Sequence, residues 1–276
     1  MISVIILTHN EEADLPACLQ ALAWCDDLHV VDSGSTDRTR EIAASFGACV
    51  EQHPFESFGK QRNWALDHCK IKHPWILFLD ADEVCTPEFL QAIKSAVQSA
   101  PELIAGYYCC WKFIYQGVWL KRCDSFPRWQ FRLVKVGKAR FTDAGHGQKE
   151  SEVQGTIEYI REPYLHYAMS KGVRHWITRH NKYSDQEAIY RTNANPRWKD
   201  LFSSHTSIRN QALKPILTKI PGWPVLRFVW AYFVKGGFLE GRPGLIYCVN
   251  IAYYEFLIKV KISEGVFQNG SGKKTL

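Results

Sequence analysis

Three carboxylates directly follow an apolar run in the first third of the chain. The run Trp75–Leu79 contains no charge and ends in Asp80-Ala81-Asp82-Glu83. Such a run predicts a strand buried on both faces of a parallel sheet, and these sheets bind ligands beyond the carboxyl ends of their strands. Crowded carboxylates repel one another unless a cation lies among them, and their oxygens suit Mg²⁺ or Mn²⁺ shared with a substrate phosphate. An acidic turn that caps the next helix explains the stretch equally well.

Polar residues also follow two other predicted strands. The segment Thr8–Glu12 comes after the apolar residues 2–7, and Asp32–Asp37 comes after a second apolar run. Because the carboxyl ends of parallel strands share one edge, we expect all three polar segments to line one pocket. Asp32 can accept hydrogen bonds from ribose hydroxyls or a base N–H, and Gly34 lets the backbone approach a ligand closely.

A basic segment could supply the anion-binding part of this pocket. In Gly59-Lys60-Gln61-Arg62-Asn63, the side chains of Lys60, Arg62 and Asn63 are predicted at a helix N-terminus, where a diphosphate could bind. Neither G-x-G-x-x-G nor G-x-x-x-x-G-K-[ST] occurs in the chain, which argues against a dinucleotide-dependent dehydrogenase and a P-loop enzyme.

The elements that must position these residues alternate between strand and helix. Strands are predicted at 2–7, 28–32, 48–51 and 75–79. Helices are predicted at about 15–22, from the turn at Asp37 to about residue 46, at about 59–69, and after Thr86, beginning with Pro87. The turn Ser33–Asp37 carries a helix N-cap signature, as does Thr86 before Pro87. This order predicts a doubly wound parallel sheet, and strands at 107–115 and 129–136 predict a mixed or antiparallel addition. From about residue 170 the pattern becomes helical.

The two halves of the chain differ in charge. Residues 1–160 carry 16 Lys/Arg and 21 Asp/Glu, whereas residues 161–276 carry 18 and 7, a net charge of +11. A basic, aromatic half suggests a membrane or nucleic acid as partner, or else a merely basic helical subdomain. No recognised nucleic-acid motif accompanies the charge, so we expect no nucleic-acid partner.

Two C-terminal stretches, 223–239 and 244–262, interleave Trp, Tyr and Phe with basic residues. Their uncharged runs are shorter than the roughly 20 residues needed to span a bilayer. They predict amphipathic helices in the membrane interface, with packing on the chain's own core or on a second subunit as the alternative. The tail 269–276 is predicted to be disordered.

The nine cysteines are an odd number and form neither a C-x-x-C pair nor a Cys/His ladder. This pattern argues against a zinc site or a disulfide framework and favours a reducing compartment. The N-terminus enters a strand directly, so we expect no signal peptide.

Four motifs together resemble the family-2 inverting glycosyltransferases, in particular a lipopolysaccharide-core branch that includes β-1,4-glucosyltransferases. The motifs are Ile2–Asn10 with Glu11-Glu12, Asp32–Asp37, Gly59–Asn63 and Leu79–Glu83. The resemblance implies a GT-A fold, a nucleotide-diphospho-sugar donor and Mg²⁺ or Mn²⁺. It implies that the nucleoside is lined by Thr8, Asn10, Glu12 and Asp32. It further implies that Asp80 faces the ribose or sugar, that the adjacent Ala81 also belongs to the donor site, and that Asp82 ligates the metal.

Later segments continue the resemblance but omit one residue. Pro163–Tyr167 with Ser170 and Asn181–Tyr183 is similar to the segment after the acceptor site, and Gly236–Gly244 resembles a "GFLDG" stretch with Glu240 in place of the Asp. Where relatives often carry Val-His-Glu, this chain has Gly145-His146-Gly147.

Inversion needs a general base for the acceptor hydroxyl, so the missing Glu must be replaced. Asp143, in a loop-like stretch after Phe141, is the preferred candidate, although it could equally be a turn residue in an enzyme that uses another acid. Glu150 is an alternative, and His146 could be the base or a third metal ligand. His166 is a separate candidate for a functional role, although a histidine satisfied within the core is the commoner case.

These observations predict a catalytic α/β domain over 1–165, a helical, basic, membrane-associating or acceptor region over 166–268, and a tail. The expected function is metal-dependent inverting transfer of a sugar to a lipopolysaccharide-core or related lipid-linked glycan. The donor expected is UDP-glucose, and the expected location is the cytoplasmic face of a bacterial inner membrane. One alternative is a silent, membrane-associated nucleotide-sugar-binding protein. The other is a haloacid-dehalogenase-type phosphatase, because Asp80–Val84 fits D-x-D-x-[TV].

Overall fold

The computed structural model describes residues 1–144, 147–195, 198–202 and 206–265. The chain forms two compact units. The first contains residues 1–121 and 125–171, and the second contains residues 122–124 and the chain from residue 172 onward. The functional division predicted at residue 165 stays a prediction, and the predicted tail lies outside the described residues.

The first unit is built on a mixed sheet. Its strands are β1 Ile2–Thr8, β2 Leu28–Asp32, β3 Cys49–Gln52, β4 Trp75–Asp80, β5 Glu83–Val84, β6 Ile104–Tyr115, β7 Val118–Trp119, β8 Trp129–Lys135, β9 Arg140–Ala144, β10 Gly147–Ser151 and β11 Thr156–His166. Nine of them form one sheet in the order β3-β2-β1-β4-β8-β6-β11-β5, with β7 paired to β6, while β9 and β10 form a separate hairpin. In that sheet β8, β5 and β7 oppose the other six strands. The predicted mixed, mostly parallel α/β sheet is therefore confirmed.

The parallel part of the sheet brings the three polar strand ends together. Thr8 at the end of β1 is in register with Asp32 at the end of β2. Leu7 is in register with Asp80 at the end of β4. The predicted common edge therefore exists, because three adjacent parallel strands end at nearly the same level.

The antiparallel part depends on a close approach of β6 to β8. Gly106 of β6 is in register with Val134 of β8. A Cβ atom at Gly106 would lie 2.5 Å from Phe131 Cε2 and 2.6 Å from the Leu133 carbonyl oxygen. Only glycine therefore lets β6 lie against the strand that carries Arg132.

Four helices flank the sheet: α1 Leu15–Gln20, α2 Thr39–Ser45, α3 Phe58–His68 and α4 Pro87–Ser99. The predicted start of α4 is confirmed, because Thr86 Oγ1 accepts a hydrogen bond from the Phe89 amide. The N-cap signature predicted within Ser33–Asp37 lies next to the start of α2, because the helix begins at Thr39 and Asp37 Oδ1 accepts a hydrogen bond from the Thr39 amide at 3.0 Å. Residues 33–37 form a turn shaped by Asp32.

Helix α3 covers one side of the sheet. The core there contains Ile5, Val31, Ile76, Phe78, Phe131 and Val134, with Phe141 of β9 packed against it. Yet the inward face of α3 carries buried Gln61 and Arg62. Buried polar groups need partners, so this helix must be tied to polar groups of the sheet.

The second unit is helical, as the sequence predicts. It contains α5 Gly172–Asn193, α6 Trp198–Leu201, α7 Thr206–Lys219, α8 Trp223–Val229, a π-helical turn Trp230–Val234, a 3₁₀ turn Gly237–Glu240 and α9 Gly241–Ser263. Buried Arg191 of α5 forms a forked ion pair with Glu255 of α9 at 2.6 and 3.1 Å. In the GFLDG-like stretch, Glu240 accepts backbone hydrogen bonds from Arg122 at 2.5 Å and Cys123 at 3.1 Å. Among the described helices, none has both the length and the apolar content needed to cross a bilayer.

Candidate functional site

Asp32 organises the loop after β2. The carboxylate is fully buried and accepts hydrogen bonds from the Gly34 amide at 3.2 Å and the Ser35 amide at 2.9 Å. It also accepts from the hydroxyl groups of Ser35 and, at 3.2 Å, Thr8. Both carboxylate oxygens therefore accept hydrogen bonds from the turn after β2, and Asp32 fixes the shape of that turn. Gly34 has a φ of +83°, and this positive φ is what requires a glycine in the turn.

The loop after β1 is joined to this turn by the predicted nucleoside residues. Asn10 Oδ1 accepts from the Thr36 amide at 2.8 Å, while the Asn10 amide donates to Ser35 Oγ at 2.8 Å. Glu12 Oε2 accepts from the Arg38 amide at 3.1 Å. Both Asn10 and Glu12 are solvent-exposed. The structure therefore brings Thr8, Asn10, Glu12, Asp32 and Gly34 into one pair of loops.

Arg132 of β8 lies at the centre of the acidic cluster and is fully buried. Its guanidinium group contacts Asp80 Oδ2 at 2.7 Å, Asp80 Oδ1 at 3.2 Å and Glu83 Oε1 at 2.5 Å. Arg62 of α3 adds a contact of 3.2 Å to Asp80 Oδ1. Glu83 Oε2 accepts from the Asp80 amide at 2.9 Å, which closes the tight turn after β4. Two of the three carboxylates are thus neutralised by arginines of the chain itself.

The pKa values in this cluster reflect burial and the two arginines. Burial alone would raise the pKa of Asp80, but the nearby guanidinium groups of Arg132 and Arg62 hold it well below its usual range. Burial raises the pKa of Glu83 to about 7 although Arg132 opposes the rise. Burial and the charge of Arg132 lower the pKa of Arg62 to about 10.

Asp82 and His166 form a second pair at the same edge. His166 Nε2 lies 3.6 Å from Asp82 Oδ2, and the Asp82 carbonyl accepts from the Tyr167 amide at 2.8 Å. Burial would lower the pKa of His166, but Asp82 and the other carboxylates raise it. Among the described residues, nothing hydrogen-bonds to the buried Nδ1 atom of His166. The Asp82 carboxylate and the His166 Nε2 atom that faces it are two donors that suit a divalent cation such as Mn²⁺.

The end of β11 is also tied to the loop after β1. Lys171 Nζ contacts Glu11 Oε2 at 2.7 Å and donates to the Asn10 carbonyl at 2.7 Å. Burial raises the pKa of Glu11 to about 7, against the opposing effect of Lys171. Ser170 Oγ donates to Asp14 Oδ2 at 2.8 Å. The segment after β11 is therefore tied to the loop between β1 and α1.

The predicted diphosphate residues divide into different environments. Arg62 is fully buried, and its guanidinium lies 5.2 and 5.5 Å from the ring centroids of Phe78 and Phe141. The Asn63 side chain exchanges hydrogen bonds with the backbone of Phe141 at 2.8 and 2.9 Å, so it positions β9. Lys60 is exposed and pairs with Glu56 at 2.5 Å. Of the three, Lys60 alone is directly accessible to a ligand in solvent.

The preferred base candidate lies at the start of α3. Asp143 belongs to strand β9, where a loop was expected, and its Oδ1 accepts from the Gly59 amide at 3.1 Å. The loop prediction is wrong because Asp143 pairs in register with Gln148 of β10. The alternative base, Glu150 of β10, accepts a hydrogen bond from the Tyr108 hydroxyl. His146 lies outside the described residues.

The sequence reasoning missed Arg132 and Lys171. A signal for Arg132 is present, because one arginine interrupts the apolar run Phe131-Arg132-Leu133-Val134. A charge within a buried strand requires a buried counter-charge. The acidic residues after β4 are an obvious candidate for that counter-charge.

Comparisons with known proteins are consistent with this geometry. The sequence model described as Glycosyl transferase family 2 matches residues 3–139. A lipopolysaccharide core biosynthesis glycosyltransferase of Rhizobium meliloti (strain 1021) is 25% identical over 266 residues, which cover 95% of this chain and 91% of that protein. An uncharacterized glycosyltransferase of Rickettsia typhi is 26% identical over 273 residues, with 95% and 87% covered.

Among solved structures, glucosyl-3-phosphoglycerate synthase from Mycobacterium tuberculosis, in complex with Mn²⁺, UDP-glucose and phosphoglyceric acid, is similar to part of the chain. The identity is 26%, the TM-score is 0.34, and the match covers 42% of this chain and 44% of that one.

Replacing Arg132 tests its central position in the acidic cluster. Arg132→Met leaves fully buried Glu83 and partly buried Asp80 without their main counter-charge, so the free energy of unfolding should fall by about 3–5 kcal/mol. Arg132→Lys keeps a charge but loses the forked geometry, so it should fall by less. Denaturant unfolding of the three proteins measures both effects. Adding Glu83→Gln to Arg132→Met should recover part of the loss, and an unchanged unfolding midpoint in Arg132→Met would contradict the assignment.

Proposed function

The chain belongs to glycosyl transferase family 2, and we propose that it is a metal-dependent inverting enzyme that glycosylates a lipid-linked glycan. The proposed donor is a nucleotide-diphospho-sugar, with UDP-glucose as the first candidate. The proposed acceptor is a lipopolysaccharide core or a related glycan. The acceptor proposal is supported by the name of the Rhizobium meliloti relative, which aligns over almost the entire chain.

The observation that carries the proposal is the placement of Asp82. Arg132 contacts both Asp80 and Glu83, and Arg62 contacts Asp80, whereas Asp82 lies beside His166 at the carboxyl edge. Of the three carboxylates, Asp82 is therefore the one suited to bind an external cation, with His166 as a second ligand. When bound, such a cation would neutralise the diphosphate leaving group of the donor.

The two joined loops suit the nucleoside part of the donor. Asn10 and Glu12 are exposed on these loops, while the buried side chains of Thr8 and Asp32 hold the loops in place. We assign Lys60 to the diphosphate, and we assign Arg62 and Asn63 to positioning Asp80 and β9. The same contacts argue against the phosphatase alternative, because a nucleophilic carboxylate needs an accessible oxygen and both oxygens of Asp80 are bound by Arg132.

Asp143 is proposed as the base that takes the proton of the acceptor hydroxyl as the sugar–phosphate bond breaks. One of its oxygens is held by the Gly59 amide at the start of α3, which fixes the orientation of the carboxylate. In the alternative candidate, Glu150, a carboxylate oxygen already accepts a hydrogen bond from the Tyr108 hydroxyl.

Loss of the proposed metal ligand tests the reaction. Asp82→Asn should reduce UDP release from UDP-glucose, with lipid-linked acceptor and Mg²⁺ or Mn²⁺, by at least about 100-fold, because cation stabilisation of the leaving group contributes several kcal/mol. Asp26→Asn, which alters an exposed carboxylate paired with His73, is the matched control and should keep its activity. Full turnover by Asp82→Asn would rule out the proposed site. Uptake of UDP-glucose without turnover in the unaltered protein would favour the silent binder instead.

A pair of isosteric variants tests the base. Asp143→Asn keeps an oxygen for the Gly59 amide but cannot accept a proton, so kcat should fall by about 10²–10⁴-fold while the Kd for UDP-glucose stays unchanged. Glu150→Gln should alter kcat far less. Steady-state kinetics with calorimetry of donor binding separate these outcomes. The reverse order, with Glu150→Gln inactive and Asp143→Asn active, would transfer the role to Glu150.

The second unit is proposed to bind an anionic membrane surface. Large apolar side chains between 40% and 66% exposed are concentrated in one short segment, and they are Val225, Leu226, Val229, Trp230, Phe233, Val234, Phe238 and Leu239. Arg227 and Lys235 lie within the same segment, and the second half of the chain carries a net charge of +11. Exposed apolar groups beside basic ones fit a lipid interface with anionic head groups. This arrangement supports a peripheral location on the cytoplasmic face of the inner membrane.

Vesicle binding tests this surface. Changing Trp230, Phe233 and Val234 together to Ser should weaken binding to vesicles that contain anionic lipid by at least about tenfold, because three apolar side chains no longer enter the interface. The matched control is Phe46→Ser with Leu103→Ser, which removes exposed apolar groups from the first unit. Co-sedimentation at low and high salt gives the readout. Equal binding by both variants contradicts the proposal, and loss of a dimer in the triple variant would identify the surface as a contact between copies of the chain.

A further inference from the structure

A cluster of three metal-ligating side chains lies away from the proposed catalytic edge. It contains His29 of β2, Glu51 of β3 and Cys69, which caps the C-terminus of α3. One ligand atom from each residue lies within 4.8 Å of the others. His29 is the second residue of β2, so the cluster lies toward the opposite end of that strand from Asp32.

His29 is prepared to donate a lone pair. Its Nε2 atom lies 3.1 Å from Asp27 Oδ1, and the side chain is only 2% exposed. When Nε2–H donates this hydrogen bond to the Asp27 carboxylate, the neutral imidazole carries its lone pair on Nδ1. That Nδ1 atom finds no hydrogen-bond partner in the described part of the chain, and Glu51 Oε1 lies 3.8 Å away. A buried, unpaired nitrogen therefore points toward a carboxylate that is too distant for a hydrogen bond.

The distances suit a small tetrahedral cation after a modest adjustment. Typical Zn²⁺ bond lengths place neighbouring ligand atoms about 3.4–3.6 Å apart. The distance from His29 Nδ1 to Glu51 Oε1 is 3.8 Å, which is close to this range. The Cys69 thiol, in contrast, donates a hydrogen bond to the other oxygen, Glu51 Oε2, and the sulfur–oxygen distance is only 2.7 Å. Glu51 is partly exposed, so its carboxylate can move and lengthen the distance to Cys69 Sγ.

The second shell is already rigid. Besides His29, the Asp27 carboxylate holds the Ser3 hydroxyl at 2.5 Å and the Lys72 amide at 2.8 Å. A carboxylate that fixes the ring and tautomer of a histidine is a recurrent feature of zinc sites. An arrangement without metal would leave the Nδ1 atom of His29 buried and unpaired, which costs free energy.

We propose that His29, Glu51 and Cys69 form a site for a zinc-type divalent cation, with a fourth position open to water. Nitrogen and sulfur donors select Zn²⁺ over Mg²⁺, so this site differs in chemistry from the oxygen-rich edge that carries Asp82. On binding, the Cys69 thiol loses its proton to solvent and a sulfur–metal bond replaces the hydrogen bond to Glu51. The cation would tie β2, β3 and the end of α3 together. The sequence argued against zinc because its ligands come from three separate elements and form no Cys/His ladder.

Cobalt substitution tests the site in the full chain. After treatment with a chelator, the protein is titrated with Co²⁺ in excess Mg²⁺, so that Mg²⁺ occupies oxygen-rich sites. We expect one equivalent of Co²⁺ to produce a thiolate-to-cobalt charge-transfer absorption, and one equivalent of Zn²⁺ to abolish it. No such absorption at stoichiometric Co²⁺ would overturn the proposal.

Variants identify the ligands. Cys69→Ser should lose the absorption, whereas Cys110→Ser, which alters another buried thiol on β6, and Asp82→Asn should keep it. Asp27→Asn should retain the absorption at saturation but bind Co²⁺ about 10–100-fold more weakly, because the second shell is lost. Near-ultraviolet circular dichroism checks that each variant is folded. An absorption that survives Cys69→Ser and disappears in Cys49→Ser would contradict the assignment.

Discussion

The acidic edge of the sheet depends on one buried ion pair. Arg132 reaches Asp80 and Glu83 from β8; Arg132 and Glu83 are fully buried, and Asp80 is partly buried. Removing such charges from water costs several kcal/mol for each ion, and the cost is offset only when hydrogen bonds satisfy both partners. Here the forked guanidinium contacts both carboxylates, while the Asp80 amide occupies the other oxygen of Glu83. The turn after β4 is therefore fixed by charge as much as by backbone geometry.

This ion pair separates the roles of the three acids. Repulsion among three neighbouring carboxylates predicts a cation among them, and two of the required positive charges turn out to be Arg132 and Arg62. The charges of Asp80 and Glu83 are thus balanced within the protein, and the contact of Glu83 with the Asp80 amide holds the turn in which Asp82 lies next to His166. An acidic motif in a sequence thus overstates the number of metal ligands whenever a distant basic residue is buried beneath it.

The sequence could predict what is local or periodic. Apolar runs located β1, β2 and β4, and the direction of parallel strands placed Thr8, Asp32 and Asp80 on one edge. What depends on long-range pairing was not accessible. Arg132 meets Asp80 from 52 positions away, and Asp143 meets Gly59 from 84 positions away. Asp143 was also expected in a loop, because the short hairpin strands carry little apolar periodicity.

The cluster of His29, Glu51 and Cys69 was not predicted for the same reason, because its members come from separate elements. The direction of the elements explains where the cluster lies. In this unit β2 ends at the edge with Asp32 and begins near His29, while α3 runs back from Gly59 to Cys69. The carboxyl edge collects oxygen donors and turns suited to a phosphate-bearing ligand. The opposite end collects an imidazole, a thiol and one carboxylate. Because oxygen donors favour Mg²⁺ or Mn²⁺ and nitrogen with sulfur favours Zn²⁺, the two proposed sites would suit different cations. A structural cation at one end of β2 would therefore be compatible with a second cation at the edge where β2 ends, because a thiolate ligand favours Zn²⁺ whereas a carboxylate-rich edge accepts Mg²⁺ or Mn²⁺.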